Sequence, residues 1–307
     1  MFLRVIISII WVFEVACHTV QPEASPVGQK ASIPSTEIVD PKDETHTRFL
    51  VRRDVRMDTY FESLDSICAE IDTLFHVSLN EYELVHANMW MLDSLVAQDY
   101  YIAQDHGIFI LDQRQCVILK RGDSLHIPSQ VEIDSIDDML RRVYVDVNIP
   151  EFRLRIVMDD QVIHLCPIRV GKNERAFLAT AGHEVDLRTP VGEGSIIRIE
   201  RDPLYMNPVD GHRYTRTRRD DGRYTKLPRI PFLEPIIDGR RTGTLLHPTT
   251  NRSTLGKAVS NGCVGMSEAD AWRVYYYAPL GTRVIFRYDL DTGRQGELRD
   301  IYKEKME

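Results

Sequence analysis

Hydrophobic positions fall into three regimes along the chain. An apolar run from Val5 to Phe13 follows Arg4 and leads into Val15-Ala16-Cys17. From His18 to Thr47 no apolar period survives, and Pro22, Pro26, Pro34 and Pro41 punctuate polar residues. Residues 18–48 therefore read as an unstructured tether. Helical spacing begins at Phe61 and continues through Leu64, Ile67, Ile71, Leu74 and Phe75. Ser78-Leu79-Asn80-Glu81 has the form of a capping box and predicts a second helix, with Tyr82, Val85, Met89 and Leu92 on one face. Short apolar runs follow at Ile108 to Leu111 and Val117 to Leu119.

Past Val143 the pattern becomes that of strands. Arg153 to Met158 and Val162 to Val170 flank Asp159-Asp160-Gln161, which predicts a hairpin with Leu154 and Ile156 on one face. Thr189-Pro190-Val191-Gly192-Glu193-Gly194 is a turn before a strand at Ser195 to Ile199, without the following helix that a phosphate loop needs. Tyr214 and Tyr224 flank Asp220-Asp221-Gly222, with Arg213, Arg216, Arg218, Arg219, Arg223, Lys226 and Arg229 around it. This predicts a basic hairpin, either solvated or a lid over an anionic substrate. Ser267-Glu268-Ala269-Asp270 caps a helix that ends at Ala278-Pro279, and Arg283 to Tyr288 makes a last strand. The order predicts an α+β, mainly β, fold. A mixed accessory domain at 49–130 precedes a β-rich domain at 143–288, and 289–307 form a polar tail.

Composition narrows the class. Of 307 residues 43% are hydrophobic and 27% charged, which is globular; a net charge of −8 argues against nucleic-acid binding. Five cysteines are too few for a disulfide scaffold. Cys68 and Cys116 either pair, if the chain is exported, or stay as free thiols. The run at 5–13 is short for a membrane span and reads as an export signal over residues 1–17. Ala16-Cys17 suits lipidation of the Cys17 thiol and Glu14 suits it poorly. The expected location is the bacterial periplasm or envelope, as a lipoprotein, as a chain cut nearby, or as a chain held by a short uncut anchor.

The candidate chemistry lies at Leu246-His247-Pro248 and Ser260-Asn261-Gly262-Cys263-Val264-Gly265. A cysteine nucleophile needs a base, oxyanion donors and a lowered thiol pKa. His247 supplies the base. The backbone N–H groups of Asn261, Gly262 and Cys263 can converge on an oxyanion, and Gly262 lacks the Cβ that would crowd it. The helix after Cys263 is expected to aim its N-terminus at the thiol and favour the thiolate. No side chain stands out as an orienter of His247; Ser260 or a backbone carbonyl can serve. His212 is placed near the pocket, His164 on a strand surface, His183 in a loop, and Cys166 in the interior. A zinc site from His247, Cys263 and His212 lacks any ligand spacing, so no metal or cofactor is expected.

These residues resemble the L,D-transpeptidase (YkuD-like) catalytic domain. The resemblance rests on Asn148-Ile149-Pro150, Val170-Gly171-Lys172, Thr189-Pro190-x-Gly192, His247, Leu255-Gly256 and Ser260-Asn261-Gly262-Cys263-Val264. It covers about half the chain. Two positions depart from the family pattern: Asn261 stands where histidine is usual, and Gly265 where arginine is common. The second departure leaves a substrate-carboxylate contact unassigned, for which Arg252 or an arginine of the basic hairpin is a candidate. The resemblance implies a peptidoglycan tetrapeptide stem as donor, a Cys263 thioester, and transfer to the amine of a second stem to give a 3→3 cross-link. Water as acceptor would make the protein an L,D-carboxypeptidase. A non-catalytic wall-binding protein is the reading from another class. Separately, Arg121 to Pro128 is similar to the last strand of a LysM module; the helical part is too long for a simple copy, so the accessory domain is expected to be structural, with a glycan contact as the alternative that the resemblance implies.

Overall fold

Residues 143–288 build an eight-stranded sheet in a computed structural model that describes residues 48–178, 181–206 and 210–289. The strands are β1 (Val143–Asn148), β2 (Arg153–Met158), β3 (Gln161–Pro167), β4 (Gly192–Glu200), β5 (Phe232–Ile237), β6 (Leu246–Pro248), β7 (Val264–Met266) and β8 (Arg283–Arg287). Their order across the sheet is β7-β6-β5-β4-β8-β1-β2-β3. Two pairings are parallel, β8 with β1 and β6 with β7; the others are antiparallel. The first hairpin forms as its alternation predicts. Leu154 and Ile156 are buried, and Asp159 and Asp160 take left-handed φ of 48° and 59°, which suits a tight right-twisted connection.

The helices are α1 (Tyr60–Phe75), α2 (Glu81–Ala87), α3 (Trp90–Val96), α4 (Tyr100–Asp105), α5 (Gln130–Arg141) and α6 (Glu268–Tyr277). Helix α1 buries Leu64, Ile67 and Ile71, as its spacing requires. The single helix expected after residue 78 is two. Its cap is Asn80, which receives the Tyr82 and Glu83 N–H groups while Glu83 reaches back, so the capping box sits two residues later than expected. The break falls at Asn88, whose amide donates to the carbonyls of Leu84 and His126 and ties the chain sideways. Helix α5 was not expected; Ser129 and Glu132 form its capping box.

Residues 49–130 and the sheet share one hydrophobic core. Tyr60 of α1 and Tyr276 of α6 are buried and their hydroxyls lie 2.7 Å apart. Trp272 packs against Tyr60, Phe61 and Tyr276. Tyr275 bonds Glu81 at the start of α2. Ile108, Phe109 and Leu111 are exposed and form no strand. Arg121-Gly122-Asp123 is a turn with Gly122 at φ 92°, leading to Ser124–His126, which pairs with Arg48–Leu50. Cys68 and Cys116 are free thiols, and burial pushes the Cys68 thiol up to about 12. The signal at 1–17, the tether at 18–47 and the tail from residue 290 lie outside the described residues. Among the described residues no helix is long and apolar enough to cross a membrane.

Candidate active site

The parallel pair β6–β7 sets the site. Leu246 is in register with Val264, His247 with Gly265 and Pro248 with Met266. Side chains alternate along each strand, so Gly265 and His247 belong to one face, and Cys263 sits in the turn that leads into the same strand. The turn before β7 is braced at several points. Ser260 Oγ donates to the Cys263 carbonyl at 2.6 Å, and Thr189 Oγ1 donates to the Gly262 carbonyl at 3.1 Å while accepting the Gly171 N–H at 2.8 Å. Gly262 has φ 107°, a conformation that side chains disfavour. Among the described backbone hydrogen bonds outside regular elements, the Gly262 and Cys263 N–H groups have no acceptor. A cavity of about 560 Å³ adjoins this turn, with Asn261, Gly262, Thr189, Gly171, Thr244 and Arg188 in its wall; Cys263 and His247 are next to it in sequence and register but do not line it.

His247 is half-buried and its Nδ1 lies 2.8 Å from the Pro248 carbonyl oxygen. A carbonyl only accepts, so Nδ1 carries the proton and Nε2 is the bare nitrogen, placed to accept one. The orienting group is therefore a backbone carbonyl and not Ser260, which braces the turn. Phe232 packs against the imidazole at 5.5 Å between ring centroids. Burial, helped by the Arg169 cation, lowers the His247 pKa to about 4.

Two electrostatic expectations are corrected. The Cys263 thiol is raised, because burial disfavours the thiolate more than a backbone hydrogen bond at Leu245 and the Arg169 cation favour it. The resting pair is therefore thiol and neutral imidazole, not thiolate and imidazolium. The start of α6 also does not serve the thiol. Ser267 caps the Asp270 N–H and the Asp99 carboxylate takes the Ala269 N–H at 3.0 Å. Strand β7 puts about 10 Å of extended chain between the thiol and that helix.

Other candidates lie elsewhere. Arg252 is exposed and faces Asp105 at 3.6 Å. His212 is exposed and stacks edge-on with Tyr214. His183 sits in an exposed strand, His183–Asp186, rather than a loop. His164 is not a free surface residue: its Nε2 bonds Asp270 at 2.8 Å, with buried Cys166 close by. The basic hairpin forms, with strands Arg216–Arg218 and Tyr224–Lys226, but it is pinned rather than free. Arg219 is buried and pairs with buried Glu268 at 2.5 Å; Asp220 bonds Ser253, and Asp221 bonds Tyr100. Sequence reasoning missed Arg169. Its side chain lies over Gly265, its Nε is buried without a hydrogen-bond partner, and its charge acts on both Cys263 and His247. The signal was available as an arginine two residues before Gly171, in a chain whose position 265 is glycine.

The family described as the L,D-transpeptidase catalytic domain, YkuD, matches residues 142–286. YqjB of Bacillus subtilis, a protein assigned by name as an L,D-transpeptidase, is 29% identical over 150 residues, 48% of this chain and 72% of that protein. YkuD of the same organism, named likewise, is 25% identical over 166 residues, 54% of this chain and 76% of that protein. A solved L,D-transpeptidase of Xylanimonas cellulosilytica aligns at 16% identity and TM-score 0.35, over 67% of this chain and 93% of that one. One from Mycobacterium smegmatis aligns at 18% identity and TM-score 0.33, over 48% of this chain and 58% of that one. The region that matches the L,D-transpeptidase catalytic domain family is thus residues 142–286, and the two Bacillus proteins to which this chain is similar carry that family's name.

Proposed function

We propose that the protein is a cysteine acyltransferase that cross-links peptidoglycan stems by L,D-transpeptidation. The observation that carries the reading is the pairing of the His247 strand with the strand that Cys263 leads into, with Nδ1 of His247 committed to Pro248 and Nε2 free. A tetrapeptide stem would lie in the cavity beside Asn261 and Gly262. Cys263 Sγ would attack the carbonyl carbon of the third residue while its proton passes to His247 Nε2. The Gly262 and Cys263 N–H groups would hold the oxyanion, with each such donor typically worth about 3–4 kcal/mol to the transition state. His247 would then give its proton to the leaving D-alanine amine as the C–N bond breaks. In the second half, the side-chain amine of another stem would attack the thioester and lose its proton to His247, releasing the thiol.

Proton transfer would accompany attack in this scheme, since burial keeps both partners neutral at rest. An export signal at residues 1–17 would deliver the enzyme to its substrate in the envelope. Incubation with purified muropeptides, wild type against Cys263→Ala, tests the reading. A 3→3 dimer that vanishes in the variant supports it. Tripeptide alone would make the protein an L,D-carboxypeptidase. Sacculus binding without product or a covalent carbapenem adduct at Cys263 would make it a wall-binding protein.

A further inference from the structure

A half-buried cation with no counter-ion among the described residues stands beside the Cys263 turn. Arg169 follows β3 and crosses to β7, the strand that follows the nucleophile's turn: its N–H donates to the Gly265 carbonyl at 2.8 Å and its carbonyl accepts the Gly265 N–H at 3.0 Å. Its side chain runs across Gly265. A Cβ built at residue 265 would come 2.5 Å from Arg169 Nε and 2.9 Å from its Cγ, so the glycine is what lets the arginine lie there. No carboxylate pairs with Arg169 among the described residues, and its buried Nε has no partner. Leaving a guanidinium half-buried and unpaired is costly unless an anion arrives during function.

We propose that Arg169 binds the terminal α-carboxylate of the donor stem, so that the enzyme acts only on the last peptide bond of a free-acid stem. This rests on the function proposed above. His247 has to reach the leaving amine, and in an amino acid the carboxylate is two bonds from that nitrogen. A cation close to both Cys263 and His247 is therefore where the leaving residue's carboxylate falls. The guanidinium can bind it through two parallel N–H···O bonds. Position 265 and position 169 act as a pair: arginine at one requires a small residue at the other.

The test compares a tetrapeptide stem ending in D-alanine with the same stem ending in D-alanine carboxamide, on the full chain. Release of the last residue and the acyl mass on Cys263 are read together. The wild type should favour the acid by about 10- to 100-fold in kcat/KM, the range for hydrogen bonds to charged groups. In Arg169→Gln the acid-to-amide ratio should fall to near one. Gly265→Ala should do the same by displacing Arg169, and Arg169→Ala combined with Gly265→Arg should recover much of the preference. Equal handling of acid and amide by the wild type overturns the inference and leaves the proposed function standing. An unchanged ratio in Arg169→Gln overturns it too, as does an equal loss on both substrates matched by slower iodoacetamide alkylation, which would make Arg169 a partner of the thiol. A wild type that neither stem acylates overturns the proposed function itself.

Discussion

Thr189 donates its hydroxyl to the carbonyl of Gly262, the residue before the candidate nucleophile, at 3.1 Å. The same oxygen accepts the Gly171 N–H, so one buried side chain holds the Thr-Pro turn, the Val-Gly-Lys segment and the Cys263 turn together. Thr189→Val keeps the volume and removes the hydroxyl. Two buried backbone groups then lose their partner, at about 1–3 kcal/mol each. Urea unfolding should show a loss of this size, and carbapenem acylation of Cys263 should slow by more than the folded fraction alone explains. Wild-type acylation kinetics in the variant would count against the bracing role.

His247 connects stability to pH. Its pKa in the folded chain is about 4, below the roughly 6.5 of an unfolded histidine. Between those values the unfolded chain binds more protons, so stability rises with pH there. Its contribution is complete above about pH 6.5 and is lost as pH falls toward 4, a change on the order of 3 kcal/mol. Denaturant midpoints measured from pH 4 to 7 should show this slope, and His247→Asn should flatten it. The acid limb of Cys263 acylation should likewise fall well below that of an exposed histidine. An acid limb near pH 6.5 would contradict the burial of the imidazole.

Cys263 should be a slow thiol until substrate arrives. Burial raises its pKa above the ordinary cysteine value, against the opposing pull of Leu245 and Arg169. Iodoacetamide alkylation followed by intact mass should therefore run slower at pH 7 than for a free cysteine. Its rate should still be climbing at a pH where free cysteine has levelled off. Fast, pH-independent alkylation at neutral pH would mean a preformed thiolate pair.

Glu268 and Arg219 form a buried ion pair that fixes the basic hairpin to α6. Glu268 also accepts the Tyr100 N–H and the Gln113 side chain, and Arg219 stacks on Tyr100 at 4.5 Å. Glu268→Gln leaves a buried guanidinium without its charge partner and should cost about 3–5 kcal/mol by chemical denaturation. Replacing both, Glu268→Leu with Arg219→Met, should cost much less, because no uncompensated charge remains. If the single and double variants are equally unstable, packing rather than charge holds the hairpin.

The sequence alone determined the periodic features. Strand alternation in Arg153 to Met158, helical spacing in Tyr60 to Phe75, the Ser267 cap and the Ser-Asn-Gly-Cys turn are local. They depend on side-chain period and turn chemistry, which neighbouring residues carry. The pairing of His247 with the Cys263 turn was legible only because the order and spacing of motifs resembled a known family. Tertiary structure decided what depends on burial and on distant partners. It broke a helix at Asn88 through His126, and seated Arg219 against Glu268. It kept the thiol protonated by enclosing it, although a nearby histidine in the sequence suggested the opposite. It also laid Arg169 across a glycine nearly a hundred residues away. A pKa and an ion pair are set by what surrounds a group in space, and no local pattern encodes that.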